Sequence, residues 1–168
     1  MIIMPPIQKR LSICLKENNS MRIFGNVRGG GGHLVEKMRQ LGKCVWNTDL
    51  INRGCQDDIM DFLKQEKTFK GDIITNPPYK YCTEFILKAL ELVEDGHKVA
   101  MFLKLQTLEG QDRYKKIFCK FPPKTIYVYT KRIQCAKNGE FQGTSAVCYA
   151  WFVWVKGYKG DPAIKWIN

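Results

Sequence analysis

The 168-residue sequence predicts an α/β protein with a doubly wound, mostly parallel sheet in a single domain. Three observations carry that prediction. From residue 33 onward, segments of helical spacing alternate with short apolar runs, the pattern that puts helices on both faces of a parallel sheet. The helical segments are closed by glycine or proline, at Gly42, Gly96 and Pro122-Pro123. The length suits one domain with a sizeable core, and is too short for a catalytic domain plus a large separate recognition domain.

His33 to Leu41 carries Leu34, Val35, Met38 and Leu41 on one helical face. Cys44-Val45-Trp46 reads as a short strand ending near Asp49, Asp57 to Lys64 as a turn or short helix, and Gly71 to Thr75 as a buried strand. Thr83 to Val93 aligns Phe85, Ile86, Ala89, Leu90 and Val93 as a helix, and Lys98 to Leu105 is the next strand. Arg113 to Cys119 forms a helix, and Ile126 to Tyr129 and Ala146 to Val155 complete the strands. Lys131 to Thr144 is polar and contains glycine, so it reads as a loop, either a DNA contact or a plain connection.

A formal net charge of +11 favours a polyanionic partner, nucleic acid above all. Basic and aromatic residues recur together at Arg113-Tyr114-Lys115-Lys116 and from Tyr127 to Arg132, which suits phosphate contact beside base stacking; ordinary basic surface gives the same pattern. The seven cysteines are scattered without a Cys-x-x-Cys pair and only two histidines are present, so no metal site is expected. An odd cysteine count, no convincing signal peptide and no apolar run of membrane-spanning length predict reduced thiols in a cytoplasm and no membrane partner.

The chemistry concentrates at Asn76-Pro77-Pro78-Tyr79, directly after the apolar run Asp72-Ile73-Ile74-Thr75. A nucleobase amine is a poor nucleophile because its lone pair is delocalised into the ring. The Asn76 side-chain oxygen and the Pro77 carbonyl can each accept one of its N–H bonds, localising that lone pair, and the prolines hold both acceptors rigidly. Tyr79 can stack on a base drawn out of its helix. A Pro-Pro turn with Asn at its start is the plain structural alternative. Ligands of open α/β sheets sit beyond the carboxyl ends of strands, where both Asn76 and Asp49 are expected. There Asp49 would accept from a ribose diol or close a turn. Asp61 would accept from an adenine amino group with Phe62 on the ring, or lie solvated beside a core phenylalanine. Gly30 to Gly32 before a helix permits close approach of a cofactor.

Taken together, the glycine turn, Asn47-Thr48-Asp49-Leu50-Ile51-Asn52-Arg53-Gly54, Asp61-Phe62-Leu63 and Asp72 to Tyr79 resemble the S-adenosylmethionine-dependent DNA adenine-N6 methyltransferases, especially small phage and prophage forms. The resemblance runs on through Phe102-Leu103-Lys104-Leu105, Leu108-Glu109-Gly110, Lys137-Asn138-Gly139 and Trp151-Phe152-Val153-Trp154, and covers residues 30 to 168. It implies a Rossmann-like class I methyltransferase fold, S-adenosyl-L-methionine as cofactor, DNA as partner, and the cytoplasm of a bacterial or phage-infected cell. By the same resemblance Gly30, Gly32, Asp49 and Asp61 bind the cofactor, and Asn76, Pro77, Pro78 and Tyr79 are catalytic. The Asn-Pro-Pro-Tyr motif is also shared by glutamine and ribosomal RNA methyltransferases, which leaves RNA and protein-glutamine methylation open, as well as a nucleic-acid-binding module that has lost its chemistry.

The departure lies upstream. Where the family's first strand runs into an acidic, small-residue turn, this chain has Ile23-Phe24-Gly25-Asn26-Val27-Arg28-Gly29, basic and without a carboxylate. Residues 1–29 are therefore an atypical segment, separate from a methyltransferase domain at 30–168. We read them as the product of a shifted frame, since Phe24 to Arg28 can be encoded so that another frame reads Trp-Glu-Cys-Ala before the glycines. The chain as written is expected to hold the cofactor weakly or not at all, and to pack its first strand poorly.

Overall fold

The computed structural model describes residues 20–24, 33–52, 54, 56–131 and 147–167. The elements are β1 (Ser20–Phe24), α1 (His33–Gln40), β2 (Cys44–Asp49), β3 (Asp58–Ile59), β4 (Asp72–Thr75), α2 (Cys82–Leu92), β5 (Lys98–Lys104), α3 (Gln111–Arg113), β6 (Thr125–Tyr129), β7 (Tyr149–Val155) and β8 (Ala163–Ile167). The helix α3 runs on as a π-helical turn over Tyr114–Phe118.

The strands form one eight-stranded sheet in the order β3-β2-β1-β4-β5-β7-β6-β8. All neighbours are parallel except β7, which is antiparallel to β5 and to β6. One register row crosses the whole sheet: Asp58, Thr48, Phe24, Thr75, Met101, Phe152, Ile126 and Ile164. The chain leaves β1 toward β2 and β3 on one side and returns to β4 and β5 on the other. The order therefore reverses between β1 and β4, where this class of sheet opens a crevice for ligands.

Alternation along the strands divides the core in two. On one face Ile73, Val99, Met101, Leu103, Phe152 and Trp154 pack with Phe85, Ile86, Ala89 and Leu90 of α2. On the other, Ile74, Ala100, Phe102, Trp151 and Val153 pack with Val35 and Met38 of α1. Central strands apolar on both faces are what a parallel sheet covered by helices requires. Truncating any of the fully buried rings Trp151, Phe102 or Phe152 would cost about 3–5 kcal/mol. The helix α1 stops as its sequence predicts: Gly42 takes φ +74°, and Lys43 N–H donates to Met38 O at 3.0 Å while Gly42 N–H donates to Arg39 O at 2.9 Å. At the amino edge of the sheet, buried Asp72 accepts from Lys98 N–H at 2.9 Å and lies 3.5 Å from His97 Nδ1, tying the start of β4 to the start of β5.

Three details differ from expectation. The expected turn after Asp57 contains a two-residue strand, β3, followed by a 3-10 turn over Phe62–Lys64. The strand β8 was not expected, because four of its five residues stay exposed and no buried alternation marks it. The backbone of Ser20–Phe24 pairs with both β2 and β4, so the sheet takes in residues upstream of residue 30. Main-chain hydrogen bonds do not depend on the family's usual side chains at that strand. Residues 1–19 and 25–32, including Gly30 and Gly32, and residues 132–146, which take in all of the expected DNA-contact loop but Lys131, lie outside the described residues.

Candidate active site at the carboxyl ends of the central strands

Asn76 follows the last residue of β4, and Asp49 is the last residue of β2. Because Thr48, Phe24 and Thr75 share a register row, Asp49 and Asn76 stand in the next row, two strands apart, roughly 10 Å from backbone to backbone. Asp49 pairs in register with Ile59 of β3, and its carbonyl accepts from Met60 N–H at 2.9 Å, so Asp61 emerges beside it. The rim thus carries two carboxylates on one side of β1 and the amide on the other.

The two carboxylates are held by the same device. Asp49 Oδ1 accepts from Ile51 N–H at 3.1 Å, and Asp61 Oδ1 accepts from Leu63 N–H at 3.1 Å. Each bond fixes the side-chain rotamer at a strand end or a helix cap. The turn role and the ligand role are therefore compatible, since one oxygen aims the other. Around Asp49 the loop is braced by Asp57, which accepts from Asn47 N–H at 2.7 Å and takes a two-pronged contact from Arg39 Nη2 at 2.9 and 2.7 Å. Next to Asp49 the apolar side chains Leu50 and Ile51 are 63% and 57% exposed. An apolar pair left in solvent beside a fixed carboxylate suits a ligand with a ribose and a flat ring; sequence reading quoted these residues but gave them no part. Of the two positions expected for the ring of Phe62, the structure gives the one in the core. Phe62 is 5% exposed and stacks on Phe85 with centroids 4.9 Å apart, so it belongs to the core and is not an open platform.

On the other side, Pro77 is buried and Asn76, Pro78 and Tyr79 are half-buried. Pro78 caps a 3-10 turn over Tyr79–Tyr81, its carbonyl accepting from Tyr81 N–H at 2.9 Å. Tyr79 leans on Tyr149 with centroids 5.9 Å apart, Tyr149 stacks on Phe102 at 5.1 Å and 14°, and Phe102 meets Trp151 at 5.5 Å. Trp151 Nε1–H donates to the Tyr129 hydroxyl at 3.1 Å, closing the far end of the stack. Tyr79 is thus the last ring of a column rooted in the core. The Lys104 ammonium, at the end of β5, lies 5.1 Å from the centroid of the Tyr79 ring. A cation there steadies the ring. Lys104 and Tyr149 were not singled out from sequence; the signals were a lone lysine near the close of an apolar run and an aromatic opening another.

A cavity of about 500 Å³ lined by Leu87, Leu90, Phe121, Pro122, Trp154 and Tyr158 lies elsewhere. Trp154 pairs with Val99 at the start of β5, which puts this cavity at the amino ends of the strands, away from Asn76. Among the described residues no group of histidine, cysteine and acidic side chains could hold a metal ion, Cys44, Cys82, Cys119 and Cys148 are free, and no helix is long and apolar enough to cross a membrane.

No protein-family model matches the chain, and no curated protein matches it. Solved structures do. The chain is similar to a class I S-adenosylmethionine-dependent methyltransferase of Listeria monocytogenes, so far assigned only provisionally (TM-score 0.63, 11% identity, 95% of this chain and 62% of that one). It is similar as well to a dimethyladenosine transferase from Plasmodium falciparum (TM-score 0.60, 16% identity, 92% of this chain and 62% of that one). A third likeness is to the type IIG restriction endonuclease BpuSI (TM-score 0.61, 14% identity, 90% of this chain and 25% of that one). These likenesses and the strand order define a class I methyltransferase fold, as the sequence led us to expect. The chain spans less than two thirds of the length of each of the three.

Proposed function

We propose that the protein is an S-adenosylmethionine-dependent methyltransferase acting on the N6 amino group of adenine in DNA, with the sheet β1 to β8 as the core of its methyltransferase domain. The observation that supports it most is the placement of Asn76-Pro77-Pro78-Tyr79 at the end of β4, beside the reversal of strand order, with Tyr79 braced by the Tyr149–Phe102–Trp151 column. That is an amide acceptor, a rigid carbonyl and an aromatic platform on the rim where this fold takes its ligands.

The residues of the other half fit the cofactor. Asp49 would take the ribose hydroxyls, Leu50 and Ile51 would cover the adenine ring, and Asp61 would accept from its amino group. Gly30 and Gly32 would let the cofactor approach the backbone. When bound, S-adenosylmethionine supplies an electrophilic methyl group. The chain does the rest by positioning. Tyr79 stacks on the extruded adenine, and Asn76 Oδ1 and the Pro77 carbonyl each accept one amine N–H, turning the nitrogen lone pair away from the ring. The leaving proton needs no strong base. Net charge +11 supports a nucleic-acid substrate.

The substrate class is tested by incubating the protein with methyl-labelled cofactor and, separately, duplex DNA, RNA and a glutamine-containing peptide. Label in DNA alone is expected, and it is weak if the altered segment before residue 30 lowers cofactor affinity as its sequence predicts. Label confined to RNA or peptide assigns one of the other shared uses of the motif, and salt-dependent DNA binding with no cofactor binding assigns a binding module whose amino-terminal turn has lost the cofactor.

A further inference from the structure

The turn that carries Tyr79 also carries a second lysine–tyrosine pair, which the proposed chemistry leaves unused. Tyr81 is 44% exposed, and the Lys80 ammonium lies 5.4 Å from its ring centroid. In a 3-10 turn successive side chains rotate by about 120°, so Tyr79 and Tyr81 face different directions from the same rigid support. Tyr79 points back to the aromatic column with Lys104 over it; Tyr81 repeats the pairing on the outside. The ring of Tyr81 does nothing evident for the fold. It stands at the N-cap of α2 but makes no side-chain cap bond, and it belongs to neither core cluster. An exposed aromatic face with an ammonium beside it is the combination that binds a nucleobase and its phosphate.

We propose that Lys80 and Tyr81 form a second DNA contact on the rim, in which Tyr81 stacks on a base flanking the target adenine and Lys80 meets the adjoining phosphate. This rests on the nucleic-acid reading of the Asn76 site. The pair would hold the strand on the outer side of the turn while Tyr79 holds the extruded base on the inner side, so that both nucleotides are positioned by one element.

The test is binding of a fluorescein-labelled mixed-sequence DNA, single-stranded and duplex, to the full chain across a range of salt. Tyr81→Ala is expected to weaken binding about tenfold and Tyr81→Phe to retain it, because stacking needs the ring and not the hydroxyl. Lys80→Ala is expected to lower the slope of log affinity against log salt by about one. Thermal melting of each variant should match the wild type, given the exposure of both residues. If the wild type binds DNA and Tyr81→Ala binds equally well, this proposal fails alone. Equal losses for Tyr81→Phe and Tyr81→Ala overturn stacking in the same way. If the wild type binds no DNA, the nucleic-acid reading fails and takes this contact with it.

Discussion

The two halves of the rim are built on different principles. The half around Asn76 and Tyr79, proposed to hold the amine, is anchored in the interior: Tyr79 continues a column of rings that ends in the fully buried Phe102 and Trp151. The carboxylate half, around Asp49 and Asp61, is held by short backbone hydrogen bonds within turns and by an Arg39–Asp57 pair that is nearly half exposed. A group that must aim a weak nucleophile gains from a support that cannot shift, since close-packed interiors deform little. A group that binds a diol needs only a fixed rotamer. The contrast predicts that damage to the first half appears in turnover and damage to the second in cofactor affinity.

Asn76→Ala should break the first half most deeply. Loss of one preorganised acceptor is expected to lower kcat by about 10²–10³ while cofactor affinity, read by calorimetry, stays unchanged; an equal loss of cofactor affinity would erase the distinction. Asp49→Ala should do the reverse, weakening cofactor binding by about ten- to a hundredfold, as expected for a hydrogen bond to a charged group, with DNA affinity preserved in the same preparation. Tyr149→Ala probes the brace itself. Removing the ring between Tyr79 and Phe102 should lower kcat several-fold more than it raises the KM for DNA, whereas a change in KM alone would mean that the column is packing without positioning. Arg39→Ala is the mildest, expected to cost less than about 1 kcal/mol of stability because exposed ion pairs contribute little, measured by urea unfolding. A larger cost would show the carboxylate half to be as firmly built as its neighbour.

How much of this was legible in the sequence depends on which force fixes each part. The apolar runs at Asp72–Thr75 and Lys98–Lys104 and the helix at Cys82–Leu92 were readable because burial sets them, and periodicity reports burial. The strand β8 was not, since Ile164 and Trp166 remain exposed and only pairing with β6 makes it a strand. The position of the Asn-Pro-Pro-Tyr turn was legible because it directly follows a buried apolar run. The support of Tyr79 was not, because Tyr149 and Lys104 reach it through an antiparallel pairing with β7 that joins residues 45 positions apart in the chain. Phe62 was left between two positions for a related reason: sequence shows an aromatic beside an acid, and only the fold decides that Phe85 takes its face.

The account stands on the atom that receives the methyl group. Unmethylated DNA incubated with the protein and S-adenosylmethionine, then digested to nucleosides and resolved by mass spectrometry, reads that atom directly. The expected product is N6-methyldeoxyadenosine, present with the wild type and reduced by at least a hundredfold with Asn76→Ala. A methyl group on cytosine or on a ring nitrogen, or the same yield from Asn76→Ala, would contradict the assignment of Asn76 and Pro77 as the acceptors that prepare an adenine amine.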